Sequence, residues 1–134
     1  MHTKANGITF NYQIDGAQDA PWLIFSNSLA TNLSMWDEQA RALSGSFRVL
    51  RYDQRGHGKT DAPEGPYPFA VLLADAIALM DALEIRRANF CGLSLGGATA
   101  LGLAEQYPDR IDRVIVCDAP CASTRPALNN GKSR

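Results

Sequence analysis

The sequence predicts an α/β fold: an antiparallel hairpin, then parallel strands, with helices flanking the sheet. Three observations carry this. Asn6-Gly7 separates two short extended patterns, which is the strongest local hairpin signal. Trp22-Leu23-Ile24-Phe25 is apolar without alternation, as in a strand buried on both faces. Strand-like and helix-like patterns then alternate along the chain, and that order builds a parallel sheet. No internal repeat and no domain linker interrupts it.

The elements follow in sequence. Ile8 to Ile14 alternates apolar and polar residues, so it reads as a half-buried strand that Asp15-Gly16 closes. Trp22–Phe25 is the first buried strand, and the small polar loop Ser26-Asn27-Ser28-Leu29-Ala30-Thr31 follows it. Ligands bind at such loops, at the C-terminal ends of parallel strands. Ser34-x-x-Asp37 resembles a capping box with Asp in the place of Glu, and Trp36, Ala40 and Leu43 share the face of the helix it opens. Gly45 is expected to end that helix. Phe47–Tyr52 is the next strand, and the glycine-punctuated loop Asp53–Thr60 comes after it. A proline-rich stretch from Pro63 to Pro68 leads into a helix. Its core stripe is Phe69, Leu72, Leu73, Ala76, Met80 and Leu83, with Asp75 and Asp81 elsewhere. Ala88–Cys91 is a strand, Leu95–Tyr107 a helix stopped by Pro108, and Ile111–Cys117 the last strand. The sequence organises as a core domain over 1–121 and a polar, disordered tail over 122–134.

The bulk properties narrow the function. A chain of 134 residues suits one domain with a modest core. It is 46% hydrophobic and 20% charged, which is ordinary for a globular domain. A net charge of -1 gives no reason to expect nucleic acid or an acidic membrane surface as partner. No apolar run is long enough to span a bilayer, and Met1–Gly7 lacks the apolar centre of a signal peptide, so a cytoplasmic location is expected. Cys91, Cys117 and Cys121 form no disulfide framework. The first two lie in strand patterns and read as small core residues. Cys117-x-x-x-Cys121 has no second ligand pair, so no metal is expected.

The stretch with chemistry in it is Gly92-Leu93-Ser94-Leu95-Gly96-Gly97. A strand runs into Gly-x-Ser-x-Gly and a helix follows at once, which is the nucleophile-elbow arrangement. The turn is strained, and Gly92 and Gly96 stand where side chains would collide. Ser94 is the candidate nucleophile, exposed above the sheet, and the Leu95 N–H is a candidate oxyanion donor. A plain strand–helix turn carrying a solvated serine is the alternative. A dinucleotide site is a further alternative, because Gly92-x-Ser94-x-x-Gly97 imitates Gly-x-Gly-x-x-Gly. Serine stands where the second glycine should admit a pyrophosphate, and the motif comes late in the chain.

Four stretches taken together resemble the α/β-hydrolase fold family. They are Ser26–Leu29 followed by Trp36, Asp53-x-Arg55-Gly56-His57-Gly58, Gly92-x-Ser94-x-Gly96-Gly97 and Pro108-Asp109-Arg110. The resemblance covers the N-terminal half of that family, up to about residue 121. Within it, Ser26–Thr31, Met35-Trp36-Asp37, Leu50–Asp53 and Phe90–Ser94 are most similar to the 3-oxoadipate enol-lactonases. Most other members carry His-Gly where this chain has Asn27-Ser28. The resemblance implies cleavage of an enol-lactone ester in aromatic-compound catabolism (the β-ketoadipate pathway). It implies Ser94 as nucleophile, Leu29 and Leu95 as the oxyanion hole, a small ester or lactone as substrate, and no cofactor.

A serine hydroxyl needs a base, and the base needs an orienting carboxylate. In this fold their order is Ser, acid, His, yet no histidine follows Ser94. His2 precedes the first hairpin. His57 lies in a loop that the resemblance makes structural and places two strands from Ser94. Asp118, at the end of the strand after the elbow, is a candidate acid, although a strand-end cap is the commoner role. Asp53 and Arg55 are expected to brace their own loop. Two further strands, the cap helices and the base of the family are not found, so the chain is expected to be a truncated copy, inactive alone. The alternative is a non-catalytic half-domain that pairs with another chain. Val114–Cys117 would then be a long apolar edge, open to self-association or to a complementing C-terminal half.

Overall fold

The computed structural model describes residues 1–118. The tail expected over 122–134, and Cys121, lie outside the described residues. Six strands form one mixed sheet: β1 (His2–Ala5), β2 (Ile8–Asp15), β3 (Trp22–Ser26), β4 (Arg48–Tyr52), β5 (Ala88–Leu93) and β6 (Ile111–Cys117). Their spatial order is β1-β2-β4-β3-β5-β6. β1 and β2 are antiparallel to their neighbours, and β4, β3, β5 and β6 are mutually parallel. The helices are α1 (Asp37–Leu43), α2 (Phe69–Ala82) and α3 (Leu95–Gln106), with a 3₁₀ turn at Leu33–Trp36. This is the expected α/β architecture.

Local chemistry explains most boundaries. Asn6 and Gly7 both take positive φ, 50° and 83°, as the tight β1–β2 turn demands. Successive residues of β3 point to opposite faces. Ile24 joins Phe10, Leu50, Phe90, Leu73, Met80 and Leu103 in a core under α2 and α3. Leu23 and Phe25 join Trp36, Ala40, Val49 and Cys91 in a second core under α1. The continuous apolar run of β3 is the sequence trace of these two covered faces. Each fully buried Leu or Phe contributes on the order of 2 kcal/mol to holding the layers together.

Helix ends depart from expectation in two places, and the end of α2, on which the sequence is silent, shows its own cap. Asn32, not Ser34, caps the turn before α1: its side chain accepts from the Ser34 N–H at 2.9 Å. Asp37 is thereby freed, and it receives the Arg51 guanidinium at 2.5 Å. Gly45 does not end α1 in a left-handed conformation. The helix stops at Leu43, with the Ser44 N–H on Ala40 O and the Phe47 N–H on Leu43 O. At the end of α2 the left-handed residue is Glu84, at φ 60°. The Glu84 N–H reaches Asp81 O at 3.1 Å, and the Ile85 N–H reaches Met80 O at 2.8 Å. Those two bonds satisfy carbonyls the helix leaves open, and buried Ile85 and Met80 seal the turn.

Asp75 is the clearest difference. Expected off the core stripe of α2, it is 2% exposed. Both its oxygens accept from Arg55, each at 2.8 Å, and Asn6 Nδ2 adds a third bond at 2.8 Å. A buried carboxylate needs such partners. They come from the hairpin turn and from the loop after β4, two segments remote in sequence.

Candidate active site

β5 runs into Ser94, and α3 starts at Leu95. Ser94 has φ 56° and ψ -111°, a conformation that side chains rarely adopt. Its own N–H donates to Cys117 O at 2.8 Å, and its carbonyl accepts from the Ala98 N–H at 3.0 Å. The turn is therefore clamped from β6 and from the first turn of α3. Two close approaches require glycine. A Cβ on Gly92 would lie 2.0 Å from Gly96 O, and one on Gly96 would lie 2.1 Å from Ser26 O. With those side chains missing, α3 and the end of β3 close in on the elbow, and Ser94 stands exposed.

The parallel register brings the other candidates to the same edge. Ser26 pairs with Gly92, so the Ser26–Thr31 loop leaves β3 beside the elbow. Leu93 pairs with Cys117, so Asp118 leaves β6 next to Ser94. Asp118 is exposed, with φ 52°. Leu29 is 66% exposed and Ala30 follows at φ 64°. Thr31 Oγ1 donates to Ser28 O at 2.7 Å and closes the loop. Leu95 opens α3, where unpaired N–H groups and the helix dipole favour negative charge. Ser94, Leu29, Leu95 and Asp118 thus share the C-terminal edge of the sheet.

The histidines stand elsewhere. His2 is on β1, at the far side of the sheet. His57 is half-buried in the loop after β4, with Nδ1 3.1 Å from Arg55 O. β3 lies between β4 and β5. In that loop Asp53 is 1% exposed and accepts from the Leu33 N–H at 2.7 Å, from Asn11 Nδ2 at 2.9 Å and from the Lys59 N–H at 2.9 Å. Asp75 beside Arg55 holds the guanidinium still more firmly protonated. Both residues are fully occupied with structure.

Sequence reasoning missed the polar cluster beneath the Leu29 loop. Asn27 is 1% exposed and Gln54 is 4% exposed. Asn27 Oδ1 accepts from Trp36 Nε1 at 2.9 Å, and Asn27 O accepts from Gln54 Nε2 at 2.6 Å. No periodicity marks these residues, because each sits in a loop or a turn. Cys91 is buried, and that burial, with Cys117 nearby, pushes its thiol up to about 11. It remains a neutral core residue through the physiological range. Among the described residues no group of three or more His, Cys, Asp or Glu could hold a metal ion. Nor, among those residues, is any helix long and apolar enough to cross a membrane.

The sheet order and the strand–serine–helix elbow define a class. The profile of the alpha/beta hydrolase fold matches residues 21–133, and the chain belongs to that family. Within it, the chain is 47% identical over 114 residues to 3-oxoadipate enol-lactonase 2 of Acinetobacter baylyi, covering 85% of this chain and 43% of the relative. The crystal structure of the enol-lactonase from Burkholderia xenovorans LB400 superposes with a TM-score of 0.87 at 53% identity. That match covers 89% of this chain and 46% of the other. A putative carbamate hydrolase of a Caulobacter species is more distant, 36% identical over 85% of this chain and 46% of its own. The chain spans less than half the length of the relatives it matches.

Proposed function

We propose that this chain carries the nucleophile and oxyanion hole of a serine-type hydrolase of carboxylic esters or lactones, of the enol-lactonase kind. The observation that carries the reading is Ser94, exposed at φ 56° between β5 and α3, in a chain 53% identical to an enol-lactonase of known structure. Ser94 Oγ attacks the lactone carbonyl, and the carbonyl electron pair moves onto oxygen. The Leu29 and Leu95 N–H groups hold that oxyanion. Its collapse breaks the ring C–O bond and leaves an acyl-serine, which water then hydrolyses. Asp118 is the candidate orienting acid. No cofactor takes part in this scheme.

The proton of Ser94 needs a base within about 3 Å, or one water further away. No histidine follows Ser94 in the 134 residues, and His57 belongs to a loop beyond β3. We therefore assign the base to residues outside these 134, and these 134 residues alone to near-background turnover. The test supplies a C-terminal half. Mixed or co-expressed with the C-terminal part of the Burkholderia enol-lactonase, the chain gains enol-lactone hydrolysis, and Ser94→Ala abolishes it. Turnover unchanged by Ser94→Ala would overturn the reading, as would fast serine-dependent turnover by the chain alone.

One observation favours a second reading, a non-catalytic half-domain that acts by pairing. Among the described residues, β6 has a strand partner on one side only, and Ile115 on it is 57% exposed. A complemented pair that assembles yet turns over nothing would favour this reading over the first.

A further inference from the structure

Asn27 lies two residues before Leu29 and is bonded through every polar group of its side chain. Its Oδ1 accepts from Trp36 Nε1 at 2.9 Å, and its Nδ2 donates to Tyr52 O at 3.2 Å. The orientation of the amide is not arbitrary. An indole N–H only donates and a backbone carbonyl only accepts, so the two ends cannot be exchanged. The main-chain carbonyl of Asn27 is held as well, by Gln54 Nε2 at 2.6 Å, and the same amide reaches Ser26 Oγ at 3.3 Å. Gly96 brings α3 against Ser26 O and Asn27 O from the other side. The end of β3 is thus gripped by the 3₁₀ turn, by the loop after β4 and by the elbow itself.

Leu29 has no such grip of its own. Its side chain is 66% exposed, so packing does not place it. The direction of its N–H is inherited from Asn27 upstream and from the Thr31–Ser28 bond downstream. Trp36 has a second anchor, since its ring stacks on Phe25 at 4.4 Å between centroids. That stack fixes where Nε1 points.

We propose that Trp36 and Gln54 are positioning residues for the oxyanion hole: by holding Asn27 they aim the Leu29 N–H at the acyl oxygen on residue 94. This rests on the serine-hydrolase reading above. Neither side chain touches the substrate. A donor misplaced by a fraction of an ångström loses most of its effect on a developing oxyanion, so such supports decide whether a hole functions. Trp36→Phe keeps the stack and removes only the donor, and Gln54→Met keeps the length and removes only the amide.

The test reads the hole without needing turnover. In the full chain carrying Ser94→Cys, Cys117→Ser and Cys121→Ser, cinnamoyl imidazole acylates the introduced thiol and releases imidazole. Cys91 is buried, and its high pKa keeps it from competing. The thioester carbonyl stretch, isolated by ¹³C labelling, is compared between the folded and the denatured adduct. A frequency lowered by folding reports hydrogen bonds to the acyl oxygen. The expected result is a lowering in the parent that is largely lost in Trp36→Phe and in Gln54→Met. No lowering in the parent would overturn the oxyanion hole itself, and the positioning roles with it. A lowering kept in both variants would overturn the positioning roles alone. If Trp36→Phe folds poorly, the double variant Trp36→Phe, Asn27→Leu removes both partners of that buried bond, leaves only Tyr52 O without its Asn27 donor, and recovers part of the stability. The lowering then stays lost if the pair aims the loop. Its return together with stability would mean that the pair only stabilises, and would overturn the proposal.

Discussion

Tyr52 ends β4 against the core, 3% exposed, with its hydroxyl 3.3 Å from Ser26 Oγ. Burial pushes its pKa from 10.0 up to about 12. The fold therefore favours the neutral phenol. That contribution is present in full below pH 10 and is lost as pH rises through 12. The gap corresponds to roughly 3 kcal/mol. Urea midpoints measured from pH 8 to 12 should fall more steeply for the parent than for Tyr52→Phe, and parallel curves would refute the assignment. The variant also loses one buried hydrogen bond, worth about 1 kcal/mol at neutral pH. Residues such as Tyr52, Asn27 and Gln54 are illegible in the sequence for one reason. Their partners lie 25 to 28 positions away, apart from Trp36, which stands nine residues after Asn27 across the Leu29 loop. Gly92 is legible because the collision it avoids, with Gly96 O, is local to the turn, whereas Gly96 avoids Ser26 O on β3, a contact that only the fold creates.

Among the elements, α2 shows both sides of the same contrast. Its start after Pro68 and its apolar stripe are written in the sequence, since a helix must bury one face. Its link to the rest is not. Asp75 holds Arg55, and Arg55 in turn sits over the Tyr67 ring at 5.9 Å. Asp75→Ala should cost about 3 kcal/mol in denaturant unfolding, because it strands a guanidinium that is only 11% exposed. Adding Arg55→Met should recover much of that loss. If the single and double variants are equally unstable, the pair does not carry the contact. The same reasoning explains α1. Asp37 looks like a capping residue by its spacing, but Arg51 from β4 claims it, and Asn32 takes over the cap.

At the scale of the whole molecule the sheet is lopsided. The hairpin covers β4, whereas β6 has β5 as its one strand partner among the described residues. Beside it runs a groove of about 690 Å³ whose apolar lining includes Leu23, Leu43, Phe47, Val114 and Ile115, with Asn89, Asp112 and Arg113 among its polar residues. An apolar edge with unpaired backbone groups invites another strand. The 134-residue chain is expected to associate at micromolar concentration in sedimentation velocity, and Ile115→Lys is expected to shift it towards monomer. A parent that sediments as a sharp monomer, or a variant that associates equally, would contradict this.

The local sequence pattern is enough for the class of the fold, the six strands with their intervening helices, and the strand–Ser94–helix elbow. Those features depend on periodicity and on steric rules that act within a few residues. It also carried the family, through four short stretches in a fixed order. What stands beside Ser94 depends on how the strands are ordered in space. The order β4-β3-β5-β6 sets Leu29 and Asp118 at its edge and puts His57 beyond β3. Packing also sets which polar groups are buried, because Asp75, Asn27 and Gln54 find Arg55, Tyr52 O and Asn27 O when segments remote in sequence meet. Strand neighbours and buried hydrogen bonds are pairings between remote positions, and no local pattern encodes them.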